Sequence, residues 1–194
     1  GDVYKRQVEG TPCMLLMQMP LPRSLQAEGA EDSFIRTLSQ MQDDLRRDYV
    51  TGAYNAVYLN EQYRPIAERA AMNGTPVGVV MVRVNEYWQL REHESDSAAN
   101  CCLNMASGIL QLVVGPDHDK AVLARLNDGF FAIVTVGTPA ARMAQAVHEA
   151  MNASRREFNI SLSRRGSFTV AIASAEWGET ASWDMTLSLA QQRL

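Results

Sequence analysis

The stretch ARLNDGFFAIV, from Ala124 to Val134, constrains the fold of this chain more than any other. Two apolar runs, LARL and FFAIV, flank the dipeptide Asp128-Gly129, which readily takes the positive φ angles of a tight turn. The pattern therefore predicts two antiparallel strands joined by a sharp tip. Because loops and turns on a rigid scaffold often carry function, an acid and a glycine at such a tip also raise the question of a site there.

Apolar periodicity and turn residues predict the other elements. Before the hairpin they are a helix from Glu31, a helix that Asn55 caps and that runs to Gly74, a strand at 76–84, a polar loop at 85–97 and a helix from about Ser97 to Gly115-Pro116. Pro65 should bend or divide the second of these helices. After the hairpin they are a helix from Thr138-Pro139 to about Phe158, a second hairpin of NISLS and SFTVAIAS around RRG, and a helix from Trp183 to the end. Hairpins mixed with helical crossovers indicate an α+β fold, with a largely antiparallel central sheet flanked by helices.

The helix at 31–47 is predicted to be a linker with one apolar stripe. Phe34, Leu38, Met41 and Leu45 follow spacings of four, three and four residues, but the stripe is shorter than two heptads. Two interpretations stay open: pairing with its copy in a dimer, or packing on its own domain.

Residues 1–30 are predicted to lie outside the main domain. GDVYKRQ has the character of a cloning or sequencing scar, and a hairpin is predicted from Val8 to Met19, with GTP as its turn and CMLLMQM as a buried strand. The prolines and polar residues that follow end this segment. We expect it to be the tail of an upstream sensory domain.

Composition excludes several functions. The net charge of -4 and pI near 5.4 argue against nucleic-acid binding, which normally requires a basic excess on one face. Cys13, Cys101 and Cys102 show neither metal-ligand spacing nor a disulfide framework, and the adjacent pair is expected to consist of buried, inert thiols. The longest uncharged apolar run is far shorter than the roughly 20 residues that span a bilayer. A cytoplasmic chain without membrane contact in these residues is therefore expected.

The segment DYVTGAYNAVYL resembles the opening motif D-x-L-T-G-L-x-N of GGDEF domains, the bacterial diguanylate cyclase family. Asp48, Thr51, Gly52 and Asn55 match it letter for letter. The stretch ARLNDGFFAIV is similar to the family signature A-R-x-G-G-D/E-E-F-A-I/V, although its core differs. The resemblance implies a nucleotidyl-cyclase palm-like fold at 48–194, with the last helix truncated. Element order ahead of it resembles the end of a PAS-type sensor.

The resemblance also implies a chemistry. Family enzymes join two GTP molecules, one from each domain of a dimer, with Mg²⁺ neutralising phosphate charge. The metal-binding acid at the end of the first strand aligns with Arg83, and a fixed cation repels Mg²⁺. The family's lysine aligns with Trp88, and its two guanine-contacting residues align with Arg91 and Asn100. None of these contacts is kept in type.

The signature is replaced in the same way. Asn127 and Asp128 stand where two glycines let the family backbone approach phosphate, Gly129 aligns with the second metal-binding acid, and Phe130 aligns with the catalytic-site glutamate. Within 127–131, only Phe131 keeps the family residue, whereas Ala124, Arg125, Ala132 and Ile133 around this core also agree. Asp128 is an acid one position early, and side chains alternate faces along a strand, so it is expected to point away from the metal position. The product-inhibition motif R-x-x-D would fall on HDKA, 118–121, and is absent.

Structural roles are expected for several of these residues. Arg83 is predicted to pair with Asp128 or Glu86 across the former site, with anion binding as the alternative. Tyr87 and Trp88 are predicted to be packed aromatics rather than a base-stacking platform.

The expected function is that of a catalytically inactive GGDEF-type domain in protein interaction or signal relay. It would have no cofactor, with Mg²⁺ and GTP only if it proves an enzyme. Its expected partners are a second copy or another GGDEF or EAL protein. Two other hypotheses are an active diguanylate cyclase with a divergent site and a GTP receptor without turnover.

Overall fold

The computed structural model describes residues 6–8, 11–13, 30–161 and 169–194, and it divides into two compact units, Gly1–Gln42 and Asp43–Leu194. In the first unit, strand β1 (Arg6–Val8) pairs antiparallel with β2 (Thr11–Cys13). A hairpin is thus present, but its predicted bounds are wrong. Val8 pairs with Thr11, which leaves two residues for the connection, so Pro12 lies in β2 and Arg6 in β1. The strand predicted at 14–19 lies outside the described residues.

Helix α1, Ala30–Arg46, crosses the boundary between the units, so a helix is present where the linker helix was predicted. Its apolar stripe is exposed to solvent: Phe34 is 54% exposed, Met41 58% and Leu45 81%. Within the part of the chain that the structure describes, this stripe stays open to solvent, which favours pairing with another molecule over packing on the chain's own domain.

The second unit contains a five-stranded sheet with strand order β3-β5-β6-β4-β7. Its strands are β3 (Tyr54–Asn55), β4 (Val77–Val84), β5 (Ala121–Asn127), β6 (Phe130–Val136) and β7 (Val170–Glu176). All neighbours run antiparallel except the short β3, which is parallel to β5. The predicted α+β class with a largely antiparallel sheet is confirmed.

Helices cover both faces of the sheet. They are α2 (Ala56–Tyr58), a π-helical segment (Leu59–Tyr63), α3 (Arg64–Met72), α4 (Tyr87–His93), α5 (Asp96–Val114), α6 (Ala140–Ser161), α7 (Trp177–Thr180) and α8 (Trp183–Gln192). The central strand β4 is buried on both faces, which explains its continuous apolar run. Val80 and Val82 pack towards α5 and α6, whereas Val79 and Met81 pack towards α3 and α8.

The predicted helix at 55–74 is interrupted. Asn55 accepts a hydrogen bond from the Tyr58 backbone N–H at 2.8 Å and caps α2, as predicted. The chain then forms the π-helical turn before Pro65, which lies in the first turn of α3. Because proline lacks a backbone N–H and clashes with the preceding turn, the regular helix restarts at this point.

Helix α5 confirms its predicted position and its end at Gly115, which has φ 72°. It is the one helix of the described residues that is long and apolar enough to cross a membrane by length and composition. Burial explains its apolar character, because Leu103, Ala106 and Leu110 are fully buried in the core. Leu112, near the C-terminal end of the same helix, is 85% exposed.

Two predicted elements are wrong. The polar segment 85–97 contains α4 instead of a loop, anchored by the buried Tyr87 and Leu90. The strand predicted at 159–163 is helical over 159–161, because α6 continues to Ser161. Helix propagation from an anchored, buried face outweighs the local strand preference of an N-I-S sequence. Residues 162 and 163 lie outside the described residues.

Candidate functional site

The tip of the β5–β6 hairpin forms a turn at Asp128 and Gly129. Asp128 has φ 33°, and the register shifts between Arg125 and Asn127, where a β-bulge twists the strand. Gly129 is buried, and a Cβ there would lie 3.0 Å from both the Tyr87 Cβ and the Val84 carbonyl oxygen. The turn therefore requires glycine for close packing against the end of β4.

The end of β4 and the hairpin tip are adjacent, as the family resemblance implies for the two acid positions. Arg83 lies opposite Phe130 in the β4–β6 register, and the Val84 N–H donates to the Gly129 carbonyl at 2.8 Å. Phe130 packs against the buried cluster on the α3 side, while Phe131 is fully buried on the α5 side. Thus an arginine, a glycine and a phenylalanine occupy the region that corresponds to the family's metal and catalytic positions.

Arg83 does not make the ion pair predicted for it. Its Nε donates to Asn85 Oδ1 at 3.3 Å, and neither Asp128 nor Glu86 is within ion-pair distance. The Glu86 carboxylate instead accepts hydrogen bonds from the backbone N–H and hydroxyl of Thr169, the N–H bond being 2.9 Å. The position of Glu86 just beyond β4 explains this, because it faces the residue that precedes β7 in the chain.

Asp128 pairs with Arg91 rather than with Arg83. Its Oδ1 lies 3.7 Å from Arg91 Nη1, while Arg91 Nε donates to Asp96 Oδ1 at 3.0 Å. The guanidinium also lies over the ring of Trp88, 5.5 Å from its centroid. Sequence analysis missed this group; its signal was an arginine in α4 with acids nearby at the start of α5 and in the hairpin turn.

The predicted packing of the two aromatics is confirmed for one of them. Tyr87 is buried, but Trp88 is 48% exposed, with only an edge contact to Tyr87 and the Arg91 cation against it. The cysteine prediction divides in the same way: Cys102 is buried, which raises the pKa of its thiol to about 12, but Cys101 is exposed.

The residues at the positions that the resemblance aligns with the metal-binding acids do not fit Mg²⁺. This ion prefers several hard oxygen ligands in octahedral geometry, and carboxylates normally supply the charge. Here one acid position holds the Arg83 guanidinium, the other has no side chain, and the two nearest carboxylates are engaged with Thr169 and Arg91. Within the described ranges, no group of three His, Cys, Asp or Glu side chains could hold a metal ion.

The opening motif is organised around the Asp48 carboxylate. Its Oδ1 accepts bonds from the Thr51 N–H and hydroxyl at 2.9 and 2.8 Å, and Arg125 Nη1 donates to both oxygens at 3.0 and 3.1 Å. Partial burial alone would raise the pKa of Asp48, but the hydrogen bonds from Thr51 and Arg125 outweigh it and lower the pKa. The carboxylate therefore fixes the turn in its charged form.

The rest of the motif fixes the backbone around this carboxylate. Gly52 has φ 68°, and its N–H donates to the Asp48 carbonyl at 2.8 Å. The Thr51 carbonyl accepts bonds from the side chains of Ser107 and Gln111 on α5, at 2.9 and 3.1 Å. Asn55 Nδ2 donates to the Leu45 carbonyl at 2.8 Å, which ties the last turn of α1 to the start of α2.

Two concavities flank this motif. An open groove of about 650 Å³ is lined by Tyr49, Val50, Ser97, Asn100, Cys101, Asn104 and Met105. It contains Asn100, the position aligned with a guanine contact, but amide and hydroxyl groups replace the family's acid. A second cavity, of about 410 Å³, lies beside His118, whose ring has an edge contact with Tyr54 at 5.5 Å. Near it, Lys120 pairs with Asp117 at 2.7 Å.

Solved structures share this arrangement of strands and helices. The coiled coil and GGDEF domain of DgcB from Caulobacter crescentus, solved in complex with c-di-GMP, is 16% identical, with 88% of this chain and 89% of that chain covered and a TM-score of 0.71. The FimX GGDEF domain from Pseudomonas aeruginosa is 22% identical, with coverages of 76% and 90% and a TM-score of 0.63. The diguanylate cyclase SiaD in complex with its activator SiaC, from Pseudomonas aeruginosa, is 17% identical, with coverages of 88% and 68% and a TM-score of 0.58.

At these identities the structures establish the fold alone. No curated protein matches the chain significantly. The family model for the diguanylate cyclase GGDEF domain matches residues 45–194, which begin in the last turn of α1 and include the opening motif, the hairpin and α8. The chain therefore belongs to the GGDEF domain family.

Proposed function

We propose that this chain is a catalytically inactive GGDEF domain that serves protein interaction or signal relay in c-di-GMP signalling in the cytoplasm. The observation that carries the proposal is the pair of Arg83 and Gly129 at adjacent positions where family enzymes have metal-binding acids. Phosphoryl transfer in this family depends on positioned metal ions and phosphate contacts rather than on covalent chemistry. A guanidinium and a missing side chain supply neither of the required carboxylates.

The neighbouring acid does not replace them. The Asp128 carboxylate lies beside Arg91, which also binds Asp96, so its charge is already matched by a cation. Glu86 is likewise engaged with Thr169. Recruiting either acid to a metal would break existing contacts and bring Mg²⁺ close to an arginine.

The exposed stripe of α1 supports an interaction role. Phe34, Leu38, Met41 and Leu45 share one face and leave it open to solvent. We propose that this face pairs with a second copy of the chain or with the corresponding helix of another GGDEF or EAL protein, which would bury apolar side chains in a coiled-coil seam. The complex of SiaD with its activator provides a precedent for a protein partner within the same fold.

One experiment separates this role from the two alternatives. Purified protein is incubated with GTP and Mg²⁺, product is quantified by chromatography beside an active family cyclase, and GTP binding is measured by calorimetry. We expect neither product nor binding heat. Product that disappears in Asp128→Ala would establish a divergent enzyme and overturn the proposal, whereas binding without product would establish a GTP receptor.

The interaction itself is tested by Leu38→Glu, which places a charge in the stripe. Sedimentation should show a dimer for the original chain and a monomer for the variant, with unchanged helix content. Gln40→Glu is the matched control, because it adds the same charge to α1 outside the stripe. A monomeric original chain would leave pairing with a different protein as the route, to be tested by pull-down with the same two variants.

A further inference from the structure

A series of polar contacts crosses the second unit from the end of α1 to the start of α5. It begins at the joint, where the Leu45 carbonyl accepts from Asn55 and where Arg47 Nη1 donates to the Gly52 carbonyl at 2.8 Å. The Arg47 guanidinium also lies over the Tyr54 ring, 4.6 Å from its centroid. These contacts tie the last residues of the helix to the opening motif.

The next contacts connect the joint to the hairpin tip. Arg125 holds the Asp48 carboxylate with Nη1, and with Nη2 it donates to the Asp128 carbonyl at 3.4 Å. The side chains of Asp48 and Arg125 are only 16% and 14% exposed, so this part of the series is shielded from solvent and salt. The opening motif and the turn therefore share one planar guanidinium.

The last contacts connect the tip to the helices beside it. The Asp128 carboxylate faces Arg91, which binds Asp96 at the start of α5 and lies against Trp88. At 3.7 Å the Asp128–Arg91 pair is the longest ion pair of the series, and its side chains are 39% and 43% exposed. A long ion pair that is open to solvent contributes little stability, so it can be broken and remade at small cost.

We propose that Arg91 and Asp128 form a latch that holds the hairpin tip against α4 and α5, and that Arg125 couples this latch to the joint of the linker helix. Arg91 aligns with a guanine-contacting residue of the family. The latch therefore uses contacts within the chain to close a region that the family uses to bind nucleotide. The signalling role proposed above gives this latch a use: a change at the joint alters the exposed region around Arg91 and Trp88 without any ligand.

Amide hydrogen exchange of the full chain, without nucleotide, tests the latch. Arg91→Ala and Asp128→Asn should each speed exchange of peptides covering 127–130 by about two- to five-fold, the range expected for an exposed ion pair. The double variant should exchange no faster at the tip than Arg91→Ala alone, because both substitutions remove the same Asp128–Arg91 contact. Lys120→Ala, which breaks the exposed pair with Asp117, is the control and should leave the tip unchanged.

Coupling is read at the joint in the same samples. Peptides covering 48–54 should exchange faster in Arg91→Ala, although nothing in that segment contacts Arg91. Unchanged exchange at the tip would overturn the latch, multiplied effects in the double variant would show that the two residues act independently, and an unchanged joint would overturn the coupling. Because no nucleotide is present, these results do not depend on whether the GTP assay supports the proposed function.

Discussion

The opening motif and the hairpin tip of this domain match the family pattern to different degrees. The motif keeps Asp48, Thr51, Gly52 and Asn55, and every one of them holds a turn, a cap or an ion pair. The tip, by contrast, has Asn127, Asp128, Gly129 and Phe130 in place of the family's phosphate cradle and acids. Arg125 joins the two regions, because it binds Asp48 and the Asp128 carbonyl.

The difference separates residues that hold the fold from residues that hold a ligand. Replacing Asp48 would leave a shielded arginine without its counter-charge, whatever the domain binds. At the tip, Gly129 instead packs closely against Tyr87 and Val84 and offers no side chain to a ligand. Family likeness in the opening motif is therefore evidence of fold and not of catalysis.

The largest effect should come from the ion pair between the regions. Arg125→Met should lower the free energy of unfolding by about 3 kcal/mol, because it leaves the Asp48 carboxylate largely shielded and without its cation. Urea denaturation measures this. Lys120→Met removes an exposed pair and should change stability by less than about 0.5 kcal/mol. Equal effects of the two variants would contradict the structural role of the opening motif.

The hairpin tip should be sensitive to volume. Gly129→Ala should destabilise by about 1 to 3 kcal/mol, since its Cβ would lie 3.0 Å from atoms of Tyr87 and Val84. Gly108→Ala is the matched control, because an added Cβ there meets nothing within 4 Å. As Gly108 lies inside α5, alanine should stabilise it by up to about 1 kcal/mol. The melting temperature should therefore fall for Gly129→Ala and rise for Gly108→Ala.

Stability should fall in acid partly through Asp48. Its pKa in the folded state is below the ordinary 3.8, so the ion pair contributes fully above that value and is lost as the pH falls through the lower folded pKa. One such group changes stability by at most about 1.4 kcal/mol per pH unit. Urea midpoints between pH 5 and 2 should show a shallower acid loss for Asp48→Asn. Parallel curves for the two proteins would contradict the assignment.

The smallest expected effect comes from replacing one asparagine by alanine in each of the two regions. Asn55→Ala removes the cap of α2 and the bond to the Leu45 carbonyl and should cost about 1 kcal/mol. Asn127→Ala, at the exposed end of β5, should change stability by less than about 0.5 kcal/mol. A larger loss of stability for Asn127→Ala than for Asn55→Ala would contradict the distinction between a structural motif and a tip that tolerates substitution.

Much of the fold could be predicted from the sequence where one strong local signal fixes an element. Asp128-Gly129 between two apolar runs predicts the hairpin, Asn55 predicts a cap, and Gly115 predicts the end of α5, and all three are confirmed. Helix α4 was missed because only Tyr87 and Leu90 are buried in it, too few for a visible apolar period. The two-residue strand β3 depends on pairing with β5, which no local pattern encodes.

The candidate site could be predicted less completely. The resemblance aligned Arg83 and the hairpin tip, and the structure places them side by side. The resemblance could not show which residues the side chains of Arg83 and the hairpin tip contact. Arg83 was predicted to pair with an acid but bonds to Asn85, while Arg91 makes the ion pair with Asp128, because that choice depends on how α4 and the hairpin turn are placed in space.

Ligand-induced stabilisation tests most directly whether the tip still holds a nucleotide. A ligand that binds only the folded state raises its stability by RT ln(1 + [L]/Kd), about 2.7 kcal/mol at a hundredfold excess over Kd. The melting temperature of the full chain should therefore not change when millimolar GTP and Mg²⁺ are added. The melting temperature of Asp128→Ala should likewise not change on addition of GTP and Mg²⁺. A rise with GTP and Mg²⁺ that Asp128→Ala abolishes would contradict the account.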